Sequence, residues 1–200
     1  METPSAIEAI YRRRATRAFT SQPVDDAAIR ELLRAAVHAP TAMHLEPWAF
    51  VVVQDRGLLA RISDRAKALI ASYTDEHRAL ARTGDGRRPA IFTDPRFDIF
   101  YGAPTLIVIC GKPMGMFVTA DCWLAAENLM IAATALGLAT CPIGFAVMAL
   151  ADPAIRTELG IPHDITPIAP IIVGHAAGEP PPAARRDPEI LSWKRPPASR

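Results

Sequence analysis

The sequence lacks the features that define several common protein classes. Its three cysteines, Cys110, Cys122 and Cys141, are odd in number and widely spaced, with no CxxC. Neither a disulfide framework nor a zinc knuckle is supported. The net charge is only +1, from 22 Lys+Arg against 21 Asp+Glu, so no nucleic-acid partner is expected. The N-terminus METPSAIEAIYRRR carries Glu2 and no apolar h-region. It does not read as a secretory signal, and a reducing cytoplasmic location is expected. There is no GxGxxG, GxxxxGK(S/T), HExxH or GxSxG. The five histidines, His38, His44, His77, His163 and His175, are scattered without carboxylates or cysteines at ligand spacing, so no metal site is expected. Residues 129–151 carry no charge and are long enough to span a bilayer. Gly137, Pro142 and Gly144 interrupt them, so they read as a buried helix running into a turn, with no membrane partner.

What is present suits one domain with a substantial core. The chain has 200 residues, half of them apolar and 22% charged, which excludes low-hydrophobicity disorder. Helical spacing runs over 4–17, from Asp25 to near Pro40, over 56–71, over an Ala-rich stretch 119–136 ended by Gly137, and from Asp152-Pro153 to Gly160. The runs 48–53, 104–110 and 167–175 read as strands buried on both faces, with the prolines of the last at positions that tolerate a missing N–H. The polar segment 75–98 reads as an excursion over a site. Few strands among long helices give an α+β fold. We read residues 1–178 as the domain and 179–200 as a Pro-rich arm. The apolar Ala-rich helix needs another surface to cover it, and a homodimer is the simplest supply.

Four segments could carry chemistry. Arg13 and Arg17, four apart on the expected first helix, would project from one side as an anion clamp for phosphate, with Arg14 nearby. A solvated basic helix end is the plainer reading. APTAMHLEPWAFVVV (39–53) sets Thr41, His44 and Glu46 between two prolines ahead of a strand, and an ordinary connection would look the same. In CPIGFA (141–146), Pro142 and Gly144 bracket Ile143 where backbone can approach a flat ligand, or simply turn. Arg185 and Arg186, on the arm, could close over an anion or stand in solvent.

Taken in order, these segments resemble the nitroreductase family of FMN-dependent oxidoreductases. RRRATRAFTSQPV (12–24) resembles the family's RRSxRxF…PV opening, and APTAMHLEPWAF its APSxxNxQPWxF. GLATCPIGF resembles its glycine-containing turn, and EPPPAARRDPEILSW its closing PP…R…E segment. The resemblance spans residues 7–193. It implies a mainly antiparallel sheet wrapped by helices, in an intertwined homodimer with FMN at the interface. By resemblance, Arg13, Arg17 and one of Arg185 and Arg186 hold the FMN phosphate and ribityl chain. Arg14 and Ala15 lie along the cofactor. Pro142, Ile143 and Gly144 face the ring, with a backbone N–H near its reactive edge. Thr41, Ala42 and His44 come from the partner subunit.

The activity implied is ping-pong. NADH or NADPH reduces FMN, then a small acceptor, such as a nitroaromatic or a quinone, is reduced on the same face. The flavin carries the reaction, so no catalytic side chain is named. Residues 75–101, with Phe92, Phe97, Phe100 and Tyr101, would wall the acceptor pocket, unless these aromatics are core. Ala15 stands where the family commonly has Ser, His44 where Asn is usual and Glu46 where Gln is usual. A carboxylate at Glu46 is unfavourable beside a reduced flavin unless it pairs with an arginine or holds a proton. These departures leave two alternatives: a flavin-sequestering dimer without turnover, and a specialised member acting in flavin breakdown or reductive dehalogenation.

Overall fold

Apolar side chains at alternate positions of one strand organise the core. The computed structural model describes residues 4–72, 94, 96–179 and 184–195. Strand β2 (Thr105–Gly111) is buried along its whole length. Its Ile107 and Ile109 enter one apolar cluster, while Leu106, Val108 and Cys110 enter another on the opposite face. An antiparallel strand reads as a continuous apolar run only when both faces are covered, and here they are.

The sheet has four strands in the order β1-β2-β4-β3, all antiparallel. β1 is Trp48–Val53, β3 is Ala139–Pro142 and β4 is Thr166–Gly174. On one face lie helices α2 (Asp26–Ala36) and α4 (Val118–Ala135), through Ile29, Leu32, Ala125, Leu129 and Ala133. On the other lie α3 (Arg56–Ser72), α5 (Ala146–Leu150) and α6 (Pro153–Glu158), through Leu59, Ile62, Ala149, Leu150 and Ile155. The short α1 (Ala6–Arg12) packs against α4. The expected α+β class and antiparallel sheet are both found.

The helix signals act as expected. Asp25 caps α2 by accepting from Ala28 N at 2.7 Å, and Asp152 caps α6 with Pro153 as its first residue. Gly137 and Gly160 take the left-handed φ, 73° and 66°, that follows a helix end. Among the described residues, no helix is long and apolar enough to cross a membrane.

Three expectations need correction. The first helix does not run to residue 17. It stops at Arg12, and Arg13 already has extended backbone at φ −55°, ψ 130°. The chain then pairs with β3: Ala15 bridges Thr140, and Thr16 N donates to Thr140 O at 3.0 Å. Tertiary pairing overrides the local helical preference. Second, residues 139–142 form a strand rather than part of a turn. It is short and contains proline, which an edge strand tolerates. Third, β1 is not buried on both faces, because it is the other edge strand and its middle is partly exposed. The expectation for the prolines of the last strand holds at Pro170, although β4 lies between two strands. Pro170 O accepts from Ile143 N at 2.9 Å, just beyond the end of β3. A strand residue's N and O point the same way, so the missing N–H faces the side where β3 has already turned off.

Candidate functional site

The segment 13–17 runs beside β3, so the two nearest candidate groups meet there. Burial raises the Cys141 thiol, and the charges of Arg17 and Arg13 partly oppose that rise. Both guanidinium groups therefore lie close to β3, although no helix carries them together. A cleft of about 350 Å³ opens at this point, lined by Arg17, Phe97, Ile99, Tyr101 and residues 141–145. Phe97 and Tyr101 form one wall, with ring centroids 5.6 Å apart and edge to face.

The polar groups here differ in how far they are engaged. Arg13 is 20% exposed, and its Nε lies 3.5 Å from a Glu127 carboxylate oxygen on α4. Arg14 is folded back, with Nη1 donating to Tyr11 O at 2.5 Å and to Arg13 O at 2.9 Å. Arg17 is exposed and has no hydrogen bond or acidic partner among the described residues. Ile143 N–H is spent on Pro170 O, whereas Gly144 N–H has no partner among the described residues. The backbone donor expected on this turn is therefore that of Gly144. A Cβ at Gly144 would meet nothing within 4 Å, so the turn presents bare backbone to open space. The buried Thr140 hydroxyl, opposite Ala15, also has no partner among the described residues. A donor left so costs about 1–3 kcal/mol.

Thr41, Ala42 and His44 lie elsewhere. Their loop leads into β1, at the opposite edge of the sheet from β3. Three inter-strand spacings of about 4.8 Å separate those edges, roughly 14 Å in all. The loop holds an unusual conformation. Met43, His44 and Glu46 all have positive φ, at 56°, 54° and 47°. For side-chain-bearing residues this costs on the order of 1–2 kcal/mol each. Among the described residues, two hydrogen bonds to side chains hold the loop, from Glu46 N to Thr41 Oγ1 at 3.4 Å and from Ala42 N to Asp121 Oδ1 at 3.2 Å. Two backbone bonds close a short turn within it, from His44 N to Thr41 O at 3.4 Å and from Leu45 N to Ala42 O at 3.2 Å. Asp121, in the first turn of α4, is only 4% exposed. Glu46 is exposed and pairs with no arginine among the described residues.

Arg185 and Arg186 stand in solvent on an arm whose residues 184–195 are all exposed, and they do not line the cleft. Of the aromatics expected to wall a pocket, Phe97 and Tyr101 do so, Phe100 is fully buried core, and Phe92 lies outside the described residues, as does most of 75–98. Sequence reading missed Asp121 and Glu127 as partners of site residues. The only signal was acidic side chains within an otherwise apolar, Ala-rich helix.

The sequence model of the nitroreductase family matches residues 10–175. The chain belongs to the nitroreductase family. An NADH dehydrogenase of Thermus thermophilus is 26% identical over 199 residues, covering 93% of this chain and 94% of its own. A nitroreductase with bound FMN from Bacteroides fragilis superposes with a TM-score of 0.81 at 26% identity, covering 96% of this chain and 100% of its own. An FMN and NADPH-dependent nitroreductase from a sphigopyxis strain does so with a TM-score of 0.71 at 25% identity, covering 96% of this chain and 100% of its own. The family match takes in the 13–17 segment, the 41–46 loop and the 141–145 turn, and stops short of the arm.

Proposed function

We propose that this nitroreductase family member is an FMN-dependent oxidoreductase. It moves reducing equivalents from NADH or NADPH to a small acceptor such as a nitroaromatic or a quinone, in ping-pong order, as a homodimer. The observation that carries the reading is the cleft between Arg17 and the 142–144 turn, which combines an unpartnered guanidinium, a free backbone N–H and an apolar lip.

The residues fit an FMN. Arg17, and Arg13 through the guanidinium nitrogens that Glu127 does not engage, would hold the phosphate and ribityl chain. Arg185 or Arg186 would close over it from the arm, and Arg14 and Ala15 would lie alongside. Pro142, Ile143 and Gly144 would face the ring, with Gly144 N–H donating at its edge. When bound, FMN supplies hydride and electron transfer between the nicotinamide donor and the acceptor. The protein's part is to bind, orient and stabilise: cationic arginines and the Gly144 amide favour negative charge in the cleft, and Phe97 and Tyr101 exclude water from one side.

The two-edged arrangement of the site favours a dimer. One chain keeps the 41–46 loop and the 142–144 turn on opposite sheet edges, and a second copy can supply the missing half. The surface that such a copy would cover is at hand. α1 and α4 leave Ile10, Tyr11, Trp123 and Leu124 exposed, and the arm leaves Ile190, Leu191 and Trp193 exposed.

A visible spectrum of the purified protein, followed by anaerobic addition of NADH and separately of NADPH, tests the reading. We expect a flavin spectrum bleached by at least one nucleotide and restored by a quinone, from a particle of twice the 21.6 kDa chain mass. A colourless protein that takes up no FMN overturns the cofactor. A flavin spectrum that neither nucleotide bleaches overturns the oxidoreductase. A monomer overturns the shared site.

A further inference from the structure

The 41–46 loop closes a short turn with local hydrogen bonds, yet its backbone runs against the preference of its residues. Three of its side-chain-bearing residues sit at left-handed φ. Its Met43 is 88% exposed, and none of residues 41–46 is buried, so little packing fixes it. Its one tie to the core by side-chain hydrogen bonding, among the described residues, is the bond from Ala42 N to Asp121 Oδ1, across 79 residues of sequence.

Asp121 is placed for that task. It sits in the first turn of α4, where the free N–H groups favour a carboxylate. Its neighbours Cys122, Ala125 and Ala126 are buried against the sheet, so α4 is fixed. A buried carboxylate needs hydrogen bonds, and the loop's amide supplies one. The hydrogen bond therefore joins a strained, poorly packed part of the site to one of its most constrained helices.

We propose that Asp121 is a positioning residue for the flavin site. Through Ala42 N–H it holds Thr41, Ala42 and His44 in the conformation that the bound cofactor meets. This rests on the FMN reading above. What is needed at position 121 is a short side chain with an acceptor oxygen. Asn supplies it, whereas Ala and the similarly sized Leu do not.

Two measurements test this on the full-length protein. The first is the FMN dissociation constant, read by quenching of flavin fluorescence. The second is amide hydrogen exchange of residues 40–47 in flavin-free protein. We expect Asp121→Ala and Asp121→Leu to weaken FMN binding about 10-fold or more, the range of a charge-assisted bond, and to speed exchange of the loop. Asp121→Asn should stay within about 3-fold of wild type on both counts. Wild-type affinity in the Ala and Leu variants, or unchanged loop exchange in them, overturns the proposal. Equal impairment in Asn and Ala also overturns it, because the acceptor geometry would then not matter. If neither Ala nor Leu yields folded protein, Asp121 serves the fold and the proposal fails. Wild-type protein that binds no FMN refutes the cofactor reading alone, and the exchange experiment still judges Asp121's hold on the loop.

Discussion

Arg17→Ala is the substitution that most directly tests the cleft as a flavin site. Arg17 is exposed, lines the cleft and has no hydrogen bond or acidic partner among the described residues. Removing it strips no other group of a partner, so the folded protein should lose little stability, within about 0.5 kcal/mol. What is lost is a charge-assisted bond to the FMN phosphate, worth about 1.5–3 kcal/mol. That corresponds to a rise of about 10- to 150-fold in the dissociation constant. Arg17→Lys keeps the charge but not the two-pronged fork, and should fall between the two. Arg13→Ala is a less clean variant, because it also breaks the contact with Glu127. The assay is FMN retention after dialysis, with the dissociation constant by fluorescence quenching at fixed ionic strength, since salt screens an exposed charge pair. An Arg17→Ala protein that melts like wild type and retains FMN within about twofold of it refutes the phosphate assignment.

Other parts of the molecule offer four further checks. Gly144→Ala should leave thermal stability unchanged, because the added Cβ meets nothing, yet weaken FMN binding by intruding on the ring face; unaltered affinity would mean that the turn does not face the ring. Gly111→Ala should lower the urea midpoint by about 1–3 kcal/mol of stability, since its Cβ would lie 2.4 Å from Val118 Cγ1 and 2.6 Å from Ile168 Cδ1; an unmoved midpoint refutes that packing. The Arg65 guanidinium holds Asp152 below the ordinary carboxylate range. Its stabilisation is thus fully present above about pH 4 and lost as pH falls through the folded value. Asp152→Asn, which keeps a capping side chain, should melt lower than wild type at neutral pH and converge with it in acid, so a pH-independent gap counts against the pairing. Burial pushes the Cys110 thiol up to about 11 and that of Cys122 to about 12. Thiol reagent at pH 8 should therefore leave both unmodified until denaturant is added, and rapid labelling of the native protein would show that the core opens.

Much of the fold could be read from sequence because local and long-range preferences agree there. The run 105–109, rich in β-branched residues, is a strand, the Asp25 and Asp152 caps begin helices, and Gly137 and Gly160 end them. The reading fails where a non-local partner decides. Residues 13–17 have helical spacing but are drawn straight by Thr140, more than 120 residues away. Ala139–Pro142 is too short and too irregular to announce itself as a strand, and exists because β4 offers it an edge. The same is true within the site. Motif order and residue type pointed to the 13–17, 41–44 and 142–144 segments, whereas the division of these segments between opposite sheet edges follows from topology and has no local signal.

That division also explains why α4 carries acidic residues on an otherwise apolar, Ala-rich helix. The two halves of the site share no strand, but both reach α4: Ala42 through Asp121, and Arg13 through Glu127. The two contacts differ in kind. Asp121 is buried and holds backbone, so its loss should disturb the loop whether or not flavin is present. Glu127 is about half exposed and holds a cation by a 3.5 Å contact, an arrangement worth about 0–1 kcal/mol. Its larger effect is electrostatic, because it places a negative charge beside the arginine proposed to receive the phosphate. Positioning and repulsion then act in opposite directions at Glu127. Asp121 acts on the loop through its backbone, so its contribution should appear in both the apo protein and the complex.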